Sequence, residues 1–382
     1  MYKISTLYKT FISPILAKDN GIDPEFLTNS SLYLIDKIAN NKESFFSSNF
    51  VKSIKNECIV SDTKLSQNLF GVEFKNPIGL AAGFDKNGIG VNIWEDFGFG
   101  FAEIGTTTWH PQPGNPKPRL FRLSKEKAAL NRLGFNNDGA KKLSDRLMKN
   151  NYLTNKNVLK LGINFGKSKI TPLELASEDY LSSLKLLSKF CDYGVINVSS
   201  PNTPNLRTLQ DPKLLKDITS ALKEIDNCPP LFIKIAPDLS LDAIDSICDL
   251  ALEENITGII ATNTSLDRLA LSNRILFQTG KKLSEEEGGL SGKPLTDKAN
   301  QIINHLYDKK TKLVLIGVGG IHSPRSAWNR LASGASLIQI YTGWIYEGPK
   351  LVPNILYGIL KQMKLHKLNN IKEVIGSKLP WI

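Results

Sequence analysis

Residues 231–237 have the sequence Leu-Phe-Ile-Lys-Ile-Ala-Pro, which gives the clearest indication of the architecture. Apart from one lysine the run is apolar, which is typical of a strand buried on both faces of a parallel sheet. Residues 258–264 repeat this pattern, and between the two runs lies a helical spacing of apolar residues at Ile244, Ile247, Cys248 and Ala251. The order strand, helix, strand predicts a βαβ unit.

The same alternation extends in both directions from this unit. Eight short apolar runs can be counted, at residues 76–83, 101–108, 158–164, 194–200, 231–237, 258–264, 313–320 and 336–343. Helical patterns lie between them, including Ile89, Ile93, Trp94 and Phe97 after the first run and Tyr180, Leu184, Leu187 and Cys191 before the fourth. Eight strands alternating with helices over roughly 300 residues predict an α/β fold, the (β/α)8 TIM barrel. A doubly wound open sheet is the alternative, but no G-x-G-x-x-G follows the first run.

Two connections between these runs are too long for a bare helix. Residues 111–122 are rich in proline and other turn residues, which predicts an inserted hairpin or lid. Residues 267–292 are also long and end in Gly-Gly-Leu-Ser-Gly. Long excursions on the C-terminal rim of a barrel usually carry function, so both segments are candidate parts of a site.

Residues 1–60 differ from the rest, because their apolar residues recur with helical spacing. The first set is interrupted by Pro14 and comprises Ile4, Leu7, Tyr8, Phe11, Ile12 and Ile15. The second set follows Asp23-Pro24-Glu25 and comprises Leu32, Ile35, Ile38 and Ala39, with Phe45, Phe46, Phe50 and Val51 after it. Two short amphipathic helices are the simplest interpretation. They form either an extension with exposed apolar bulk or an ordinary cap on the main domain.

The composition restricts the class of protein. The hydrophobic fraction is 41%, and 48 basic against 37 acidic residues give a net charge of +11. This charge suits nucleic acid, an anionic membrane surface or anionic small molecules. No basic stripe interleaved with aromatic residues occurs, so we expect no nucleic-acid partner. The four cysteines and four histidines are scattered without ligand spacing, which predicts reduced cysteines and no metal site.

Targeting signals are also missing from the sequence. It contains no apolar stretch of about 18 residues, no secretory signal and no Arg-rich transit peptide. We therefore expect the chain to stay where it is made, or to attach to a membrane surface without spanning it.

Polar residues stand at the ends of the predicted barrel strands. They are Asp85, Lys86, Thr106, Thr107, Asn164, Asn197, Ser200, Lys234, Thr262, Asn263, Gly319, Gly320, Tyr341 and Thr342. Barrel enzymes place their chemistry at the C-terminal strand ends. The convergence of these residues therefore predicts a polar ligand site at one mouth.

Lys234 is the most informative single residue, since a lysine inside a buried strand is costly unless it is paired or faces a site. One interpretation is a buried ion pair with a neighbouring carboxylate. The other is a cation that holds an anionic ring or stabilises a reduced, negatively charged cofactor.

The seventh and eighth runs have glycine-rich ends, Gly317-Val318-Gly319-Gly320 and Tyr341-Thr342-Gly343. In barrels this pair of strand ends often forms a phosphate site from backbone N–H groups. Glycine lets the backbone approach the phosphate closely. The position indicates a phosphorylated ligand such as a flavin mononucleotide.

The fourth run ends in Ser199-Ser200-Pro201-Asn202-Thr203-Pro204, in which two prolines fix the backbone. The segment is either a structural turn or a rigid holder of polar groups in a site. No G-x-S-x-G motif or neighbouring histidine indicates a hydrolase triad. Serine is a poor free base, so proton abstraction by Ser200 would need help from its surroundings.

Taken together, these motifs resemble the dihydroorotate dehydrogenase family in its class 2, quinone-dependent branch. The matching stretches are NPIGLAAGFDKNG (76–88), GFAEIGTTT (100–108), PQPGNPKPRLFRL (111–123), NRLGFNNDG (131–139), GINFGKSK (162–169), INVSSPNTPNLRTLQ (196–210), KIAPDL (234–239), ATNTSLDR (261–268), GGLSGKPL (288–295), IGVGGI (316–321) and QIYTGWIYEGP (339–349). The resemblance implies oxidation of dihydroorotate to orotate in pyrimidine synthesis. It also implies one FMN per chain, which takes a hydride from the substrate and passes electrons to a membrane quinone.

The resemblance further implies roles for individual residues. Ser200 would be the base that removes the proton from C5 of the substrate. The residues similar to the family's orotate site are Lys86, Asn131, Arg132, Leu133, Gly134, Phe135, Asn197, Asn202, Asn263 and Thr264. Those similar to the flavin site are Ala82, Gly83, Phe84, Asp85, Lys86, Thr106, Asn164, Asn197, Lys234, Thr262, Gly292, Gly320, Tyr341 and Thr342.

Class 2 is indicated by Ser200, which stands where the soluble class has a cysteine, and by the N-terminal helical extension. The resemblance implies that residues 1–60 lead quinone to the flavin and dock on the membrane, while residues 61–382 form the catalytic barrel. Arg122 matches an arginine that lines the quinone tunnel. We expect a peripheral, monomeric protein on the cytoplasmic side of the cell membrane. A membrane-attached barrel that binds flavin without catalysis is the competing hypothesis.

One departure concerns the quinone site. Some members of the family carry a histidine shortly after the Asp-Pro-Glu of the extension, whereas residues 1–60 here contain none. The quinone head group would then be held differently.

Overall fold

The computed structural model describes residues 3–19, 21–41, 44–150, 152 and 159–382, and these contain thirteen strands and twelve α-helices. The strands are β1 (Gln67–Leu69), β2 (Val72–Phe74), β3 (Ile78–Leu80), β4 (Phe101–Thr107), β5 (Leu120–Leu123), β6 (Ala128–Asn131), β7 (Lys160–Phe165), β8 (Tyr193–Asn197), β9 (Leu231–Ile235), β10 (Gly258–Ala261), β11 (Gly289–Gly292), β12 (Val314–Val318) and β13 (Leu337–Ile340). The helices are α1 (Ile4–Leu7), α2 (Ser13–Leu16), α3 (Pro24–Asn40), α4 (Phe45–Cys58), α5 (Ala140–Lys149), α6 (Ala176–Leu187), α7 (Pro212–Lys223), α8 (Leu241–Glu253), α9 (Thr296–Asp308), α10 (Pro324–Ala332), α11 (Thr342–Glu347) and α12 (Leu351–Leu365).

Eight of these strands form a closed parallel barrel in the order β3-β4-β7-β8-β9-β10-β12-β13, and β13 pairs back to β3. Each of the eight predicted runs overlaps one barrel strand. The predicted (β/α)8 barrel is therefore confirmed, and closure excludes the doubly wound open sheet. Residue 158, at the start of the third predicted run, lies outside the described residues.

Helices cover the barrel with their apolar faces. The predicted pattern at residues 244–251 lies in α8, and that at residues 180–191 lies in α6 apart from Cys191, which follows a 3-10 turn after the helix and is only partly buried. The helix predicted after the first barrel strand is wrong, because residues 91–98 form turns although most of their apolar side chains are buried. Asp85 is buried there and accepts the N–H groups of Ile89 at 2.7 Å and Gly90 at 2.8 Å, and the indole N–H of Trp94 at 3.0 Å. The spacing of the apolar residues indicates that their side chains are buried. Turns that are held by the Asp85 carboxylate bury these side chains as well as a helix would.

The N-terminal end of the barrel is closed by the antiparallel hairpin of β1 and β2. Phe70 and Gly71 form its two-residue turn, both with positive φ, as such hairpins require. The Phe70 ring packs edge-on against Phe232 at 5.2 Å and Tyr193 at 6.2 Å between ring centroids. Aromatic side chains thus fill this end, and the barrel interior opens at the opposite end.

A three-stranded antiparallel sheet, in the order β11-β6-β5, stands over the C-terminal mouth. A hairpin was predicted at residues 111–122, but the structure forms it further along the chain, from β5 and its antiparallel partner β6, and only the end of the predicted segment belongs to it. The second long excursion, residues 267–292, ends in β11 and adds the third strand to the same sheet. Both excursions therefore meet in one structure on the rim.

The extension contains more helical elements than the two that were predicted. A π-helical turn, Tyr8–Ile12, joins α1 and α2 directly ahead of Pro14, whose nitrogen cannot donate an ordinary helical bond. Apolar side chains of the extension divide between two environments. Leu32, Ile54 and Cys58 are buried in the main core, whereas five large residues are 59–85% exposed: Phe11, Phe26, Tyr33, Leu34 and Phe45.

Both interpretations of the extension therefore hold in part, since it packs on the barrel and also presents apolar surface. The side chains of residues 39 and 46 lie outside the described part. No helix in the described ranges is long and apolar enough to cross a membrane.

Ionic contacts attach the extension to the rim sheet. The guanidinium of Arg119 donates to both carboxylate oxygens of Glu25, at 2.7 and 2.8 Å, and both side chains are nearly buried. Asn136 donates to the same carboxylate at 2.7 Å. Burial raises the pKa of Glu25, but hydrogen bonding to Arg119 and nearby positive charges outweigh it and leave the pKa below its usual value. The start of α3 is thus held by a charge that remains ionised at neutral pH.

Candidate functional site

A cavity with about 1090 Å³ of open space lies at the C-terminal mouth of the barrel, under the rim sheet. Most of the residues predicted for the site share its wall. They are Ala82, Gly83, Lys86, Thr106, Asn131, Leu133, Gly134, Phe135, Asn197, Ser200, Asn202, Lys234, Thr262, Asn263, Thr264, Gly292, Gly320, Tyr341 and Thr342. The strand ends converge because parallel strands of a closed barrel all finish at the same mouth.

Lys234 forms a buried ion pair with Glu103 in the barrel interior, with 3.4 Å between Nζ and Oε1. Glu103 is fully buried and also accepts hydrogen bonds from Asn164 at 2.7 Å and from Gln339 at 2.5 Å. Lys234 lines the cavity as well. The lysine is therefore both paired with a carboxylate and presented to the site.

A network of amides and hydroxyls fixes the floor of the cavity near Lys234. The Asn197 amide donates to Asn164 Oδ1 and Thr106 Oγ1, both at 3.0 Å. Asn263 donates to Asn197 Oδ1 at 3.3 Å and to Ser199 Oγ at 3.0 Å. Each amide is held by its neighbours, so its remaining hydrogen-bonding groups have fixed directions.

Ser200 lies on the cavity wall just beyond the end of β8. Its Oγ accepts the N–H of Asn202 at 3.3 Å, which is its one hydrogen bond within the described part of the chain. The Asn202 amide donates to Asn131 Oδ1 at 3.1 Å and so ties this segment to the rim sheet. The Ser200 segment is thus a structural turn that also presents its hydroxyl to the cavity.

A second cavity, with about 770 Å³ of open space, lies between α3 and the rim. Glu25, Thr28 and Asp138 line it, and Lys86 and Tyr341 belong to both cavities. Burial lowers the pKa of Lys86 to about 8, while the charges of Glu25 and Arg119 raise and lower it respectively. The Lys86 ammonium makes no hydrogen bond or ion pair in the described ranges, so it is available to an anionic ligand.

The glycine-rich end of the cavity is shaped by close backbone contacts. Gly320 has φ +72°, and a Cβ on it would lie 2.3 Å from Thr296 Oγ1 and 2.5 Å from Thr296 Cα. On the facing side the Thr342 and Ser291 hydroxyls are 2.9 Å apart. Only glycine fits at position 320 without moving backbone atoms.

Four residues predicted for the site lie elsewhere than on the wall of the large cavity. Asn164 stands behind Thr106 and Asn197, and Asp85 and Phe84 face the second cavity. Arg132 pairs with Glu286 and covers the Phe121 ring. Their assignment to the site stays a prediction.

Arg122 is nearly buried beneath the extension. Its Nη2 donates to the Ile22 carbonyl at 2.7 Å and to the Lys18 carbonyl at 3.4 Å. Its Nε and Nη1 are buried and have no acceptor among the described residues. Burial lowers the pKa of Arg122, although Tyr346 and nearby carboxylates oppose that shift. Two donors of this guanidinium are thus buried without a partner in the described part of the chain.

Sequence reasoning missed Glu103, Gln339 and Ser291. Glu103 carried the same signal as Lys234, a charged residue inside a buried apolar run, here Phe-Ala-Glu-Ile. Gln339 and Ser291 lie within the stretches that match the family, but nothing in those stretches distinguishes them from their neighbours. In the described ranges no group of three or more histidine, cysteine, aspartate or glutamate side chains could hold a metal ion.

Comparison with known proteins agrees with this architecture. The family model described as dihydroorotate dehydrogenase matches residues 64–363. The chain is 50% identical to a dihydroorotate dehydrogenase (quinone) of Prochlorococcus marinus, covering 100% of this chain and 98% of that protein. It is 47% identical to the enzyme of that name from Nostoc punctiforme, covering 98% of each.

A solved structure gives the same result. The crystal structure of DHODH in complex with ferulenol from Eimeria tenella has a TM-score of 0.81 and 34% identity, covering 94% of this chain and 96% of that one. The fold, the position of the cavity and the sequence identity along the whole chain all indicate the same family. This chain belongs to the dihydroorotate dehydrogenase family.

Proposed function

We propose that this chain oxidises dihydroorotate to orotate and reduces a quinone, with FMN as the bound electron carrier. Family membership and the names of the relatives support the proposal. The observation that carries it is the single cavity faced by Lys86, Ser200, Lys234 and Gly320, which come from four different strand ends. The two hydrogens lost by the substrate reappear on the quinone, which becomes a quinol.

The large cavity fits FMN on the residues present. Thr262 Oγ1 and Gln339 Oε1 are buried there without a hydrogen-bond partner in the described ranges. The glycines near position 320 leave room for backbone to approach a phosphate, and Lys234 supplies a cation at the barrel interior. FMN, when bound, would supply the two-electron acceptor between the substrate and the quinone. We propose one FMN per chain, held by the residues predicted for the flavin site.

The rim side of the cavity suits a small planar ring that carries a carboxylate. The Lys86 ammonium has no partner among the residues that the structure describes and would pair with the carboxylate. Amides of Asn131, Asn202 and Asn263 stand around the same space and would bind ring carbonyl and N–H groups. Asn202 already donates to Asn131, and Asn263 already donates to Asn197 and Ser199, so these amides would orient the ring without reorganising.

Ser200 is the proposed base. Ser200 Oγ would take the proton from C5 of the substrate and release its own hydroxyl proton to solvent. The electron pair of the C5–H bond would become the C5–C6 double bond, while the hydrogen on C6 would leave as hydride, for which FMN, when bound, would be the acceptor. The neighbouring Asn202 N–H donates to Oγ, which favours negative charge on the oxygen. Positioning by a rigid turn is the help that a weak base such as serine needs.

Residues 1–60 are proposed as the part that receives the quinone and contacts the membrane, and residues 61–382 as the catalytic barrel. The exposed apolar residues of the extension support peripheral attachment. We propose that the membrane face is the cytoplasmic one. The free donors of Arg122 support a role in binding a quinone oxygen. Because no histidine occurs in residues 1–60, such donors would replace it.

The decisive experiment measures orotate formation by the purified full chain with a quinone, fumarate or NAD as acceptor. The proposal expects a yellow protein, turnover with quinones and negligible turnover with the two soluble acceptors. Turnover with fumarate or NAD alone would place the chain in the soluble class. Flavin and orotate binding without turnover would favour a non-catalytic binding module.

A further inference from the structure

Arg330 is a fully buried arginine on α10, directly behind the glycine-rich end of the large cavity. No carboxylate pairs with it among the described residues. Its Nη1 donates to the Val318 carbonyl at 3.1 Å, and its Nη2 donates to the Gly319 carbonyl at 2.8 Å and the Thr296 carbonyl at 3.3 Å. Nε donates to Asn300 Oδ1 at 2.5 Å. The charge is therefore surrounded by neutral acceptors only.

The neighbouring backbone leaves space for the Arg330 side chain. A Cβ at Gly317 would lie 2.6 Å from Arg330 Cγ and 2.7 Å from Cδ, so glycine at 317 leaves the passage for its stem. Burial lowers the pKa of Arg330 to about 9. A buried cation without a counter-ion is costly, and proteins rarely keep one unless an anion completes the site.

The carbonyls that Arg330 holds belong to the cavity wall. Val318, Gly319 and Gly320 all line the cavity, and the Thr296 hydroxyl donates to the Gly320 carbonyl at 2.9 Å. The carbonyls of this loop are thus occupied on its protein side. The N–H groups of Gly320 and Ile321 donate to no acceptor in the part of the chain that the structure describes. Free N–H groups on the wall, backed by a buried cation, form a receptor for an anion.

We propose that Arg330 is a positioning residue for the phosphate monoester of the flavin, acting through the 318–320 loop and through its uncompensated charge. This inference rests on the proposed FMN cofactor and adds a source for its phosphate selectivity. The phosphate dianion would be the counter-ion that the folded chain lacks. Arg330 does not line the cavity, so it would act without touching the ligand.

The test compares two flavins that differ only in the phosphate. Full-length holoenzyme is exchanged against FMN or riboflavin, and the dissociation constants are measured by flavin fluorescence for four proteins: wild type, Arg330→Gln, Arg330→Lys and Arg325→Gln. Arg325 is exposed on the same helix and controls for loss of one positive charge from α10. The measured quantity is the ratio of the riboflavin to the FMN dissociation constant.

We expect Arg330→Gln to lower this ratio by roughly 10- to 100-fold, about 1.4–2.8 kcal/mol, mainly through weaker FMN binding. Arg330→Lys keeps the charge but loses the fork of donors to the loop, so its ratio should fall between those of Arg330→Gln and wild type, and Arg325→Gln should not differ from wild type. An unchanged ratio in Arg330→Gln, or equal losses for both flavins, would overturn the inference. If Arg330→Gln does not fold, Arg330→Lys decides, since a ratio equal to that of wild type, or equal losses for both flavins, would refute the inference. Wild-type protein that binds neither flavin would instead refute the proposed cofactor.

Discussion

Replacing Glu25 by glutamine should release the extension from the barrel without unfolding the barrel itself. The change removes the carboxylate that receives two hydrogen bonds from Arg119 and one from Asn136. Breaking a buried ion pair by removing one partner costs about 3–5 kcal/mol. Glutamine retains one oxygen acceptor, and the Pro113 and Asn115 carbonyls still accept from Arg119, so the lower end of that range applies.

A cost of about 3 kcal/mol corresponds to a roughly 150-fold change in the equilibrium for local opening of α3. Amide hydrogen exchange at neutral pH should report it as loss of protection in α3, while the barrel strands keep theirs. Quinone reduction should fall, and reduction of an artificial dye by dihydroorotate should remain near the wild-type rate. Asp36→Asn is the matched control, since Asp36 lies on the same helix and accepts only from Asn40 among the described residues.

The pH dependence gives an independent check on the same contact. Because the folded pKa of Glu25 is depressed, its stabilisation is present above the unfolded pKa and is lost as pH falls through the folded value. Acid should therefore loosen α3 in wild type and leave Glu25→Gln little changed. Equal loss of protection in α3 and in the barrel strands, or equal loss of quinone and dye reduction, would refute the reasoning.

Further predictions concern the catalytic cavity. Ser200→Ala should slow flavin reduction by dihydroorotate by about 10²–10⁴-fold with unchanged FMN content, as stopped-flow absorbance would show, and a normal rate would remove the serine from its role. Lys234→Met should lower the free energy of unfolding by about 3–5 kcal/mol because it leaves Glu103 unpaired, and the double variant with Glu103→Gln should recover part of that loss in denaturant titrations. The orotate dissociation constant should rise about tenfold for each pH unit above about 8, where free Lys86 loses its proton, and a flat profile would contradict the assigned pairing. Gly320→Ala should reduce bound flavin sharply, since its Cβ has no room, and full flavin content would contradict the close backbone approach.

The barrel was predictable because a strand that is buried on both faces has a continuous apolar sequence. This pattern can be recognised without knowing which strands pair with it. Lys234 stood out for the same reason, as the exception in such a run. Glu103 carried an equal signal, yet its significance depended on knowing that β4 and β9 face each other across the barrel interior. Such pairings between residues 131 positions apart are not encoded in any local pattern.

The less successful predictions share a physical cause. The spacing of Ile89, Ile93, Trp94 and Phe97 predicts a helix, but such spacing indicates only that these side chains are buried, and the turns held by Asp85 bury them equally well. The joining of β11 to β6 was not foreseen, since strand partners 158 positions apart leave no trace in either segment. The uncompensated charge of Arg330 was invisible too, because an arginine on an amphipathic helix reads as a surface residue.

The pairing of β3 with β13 also affects folding during synthesis, because β3 is made long before its partner strand. The two strands are separated by about 260 residues, which a ribosome adding 5–20 residues per second needs roughly 13–50 s to make. Throughout that interval one edge of β3 has no neighbour, and an unpaired strand edge is a template for aggregation. Protection by a chaperone, or by the hairpin of β1 and β2 that precedes it, matters most during synthesis. Synthesis of β13 therefore both closes the barrel and ends the period in which the unpaired edge of β3 can aggregate.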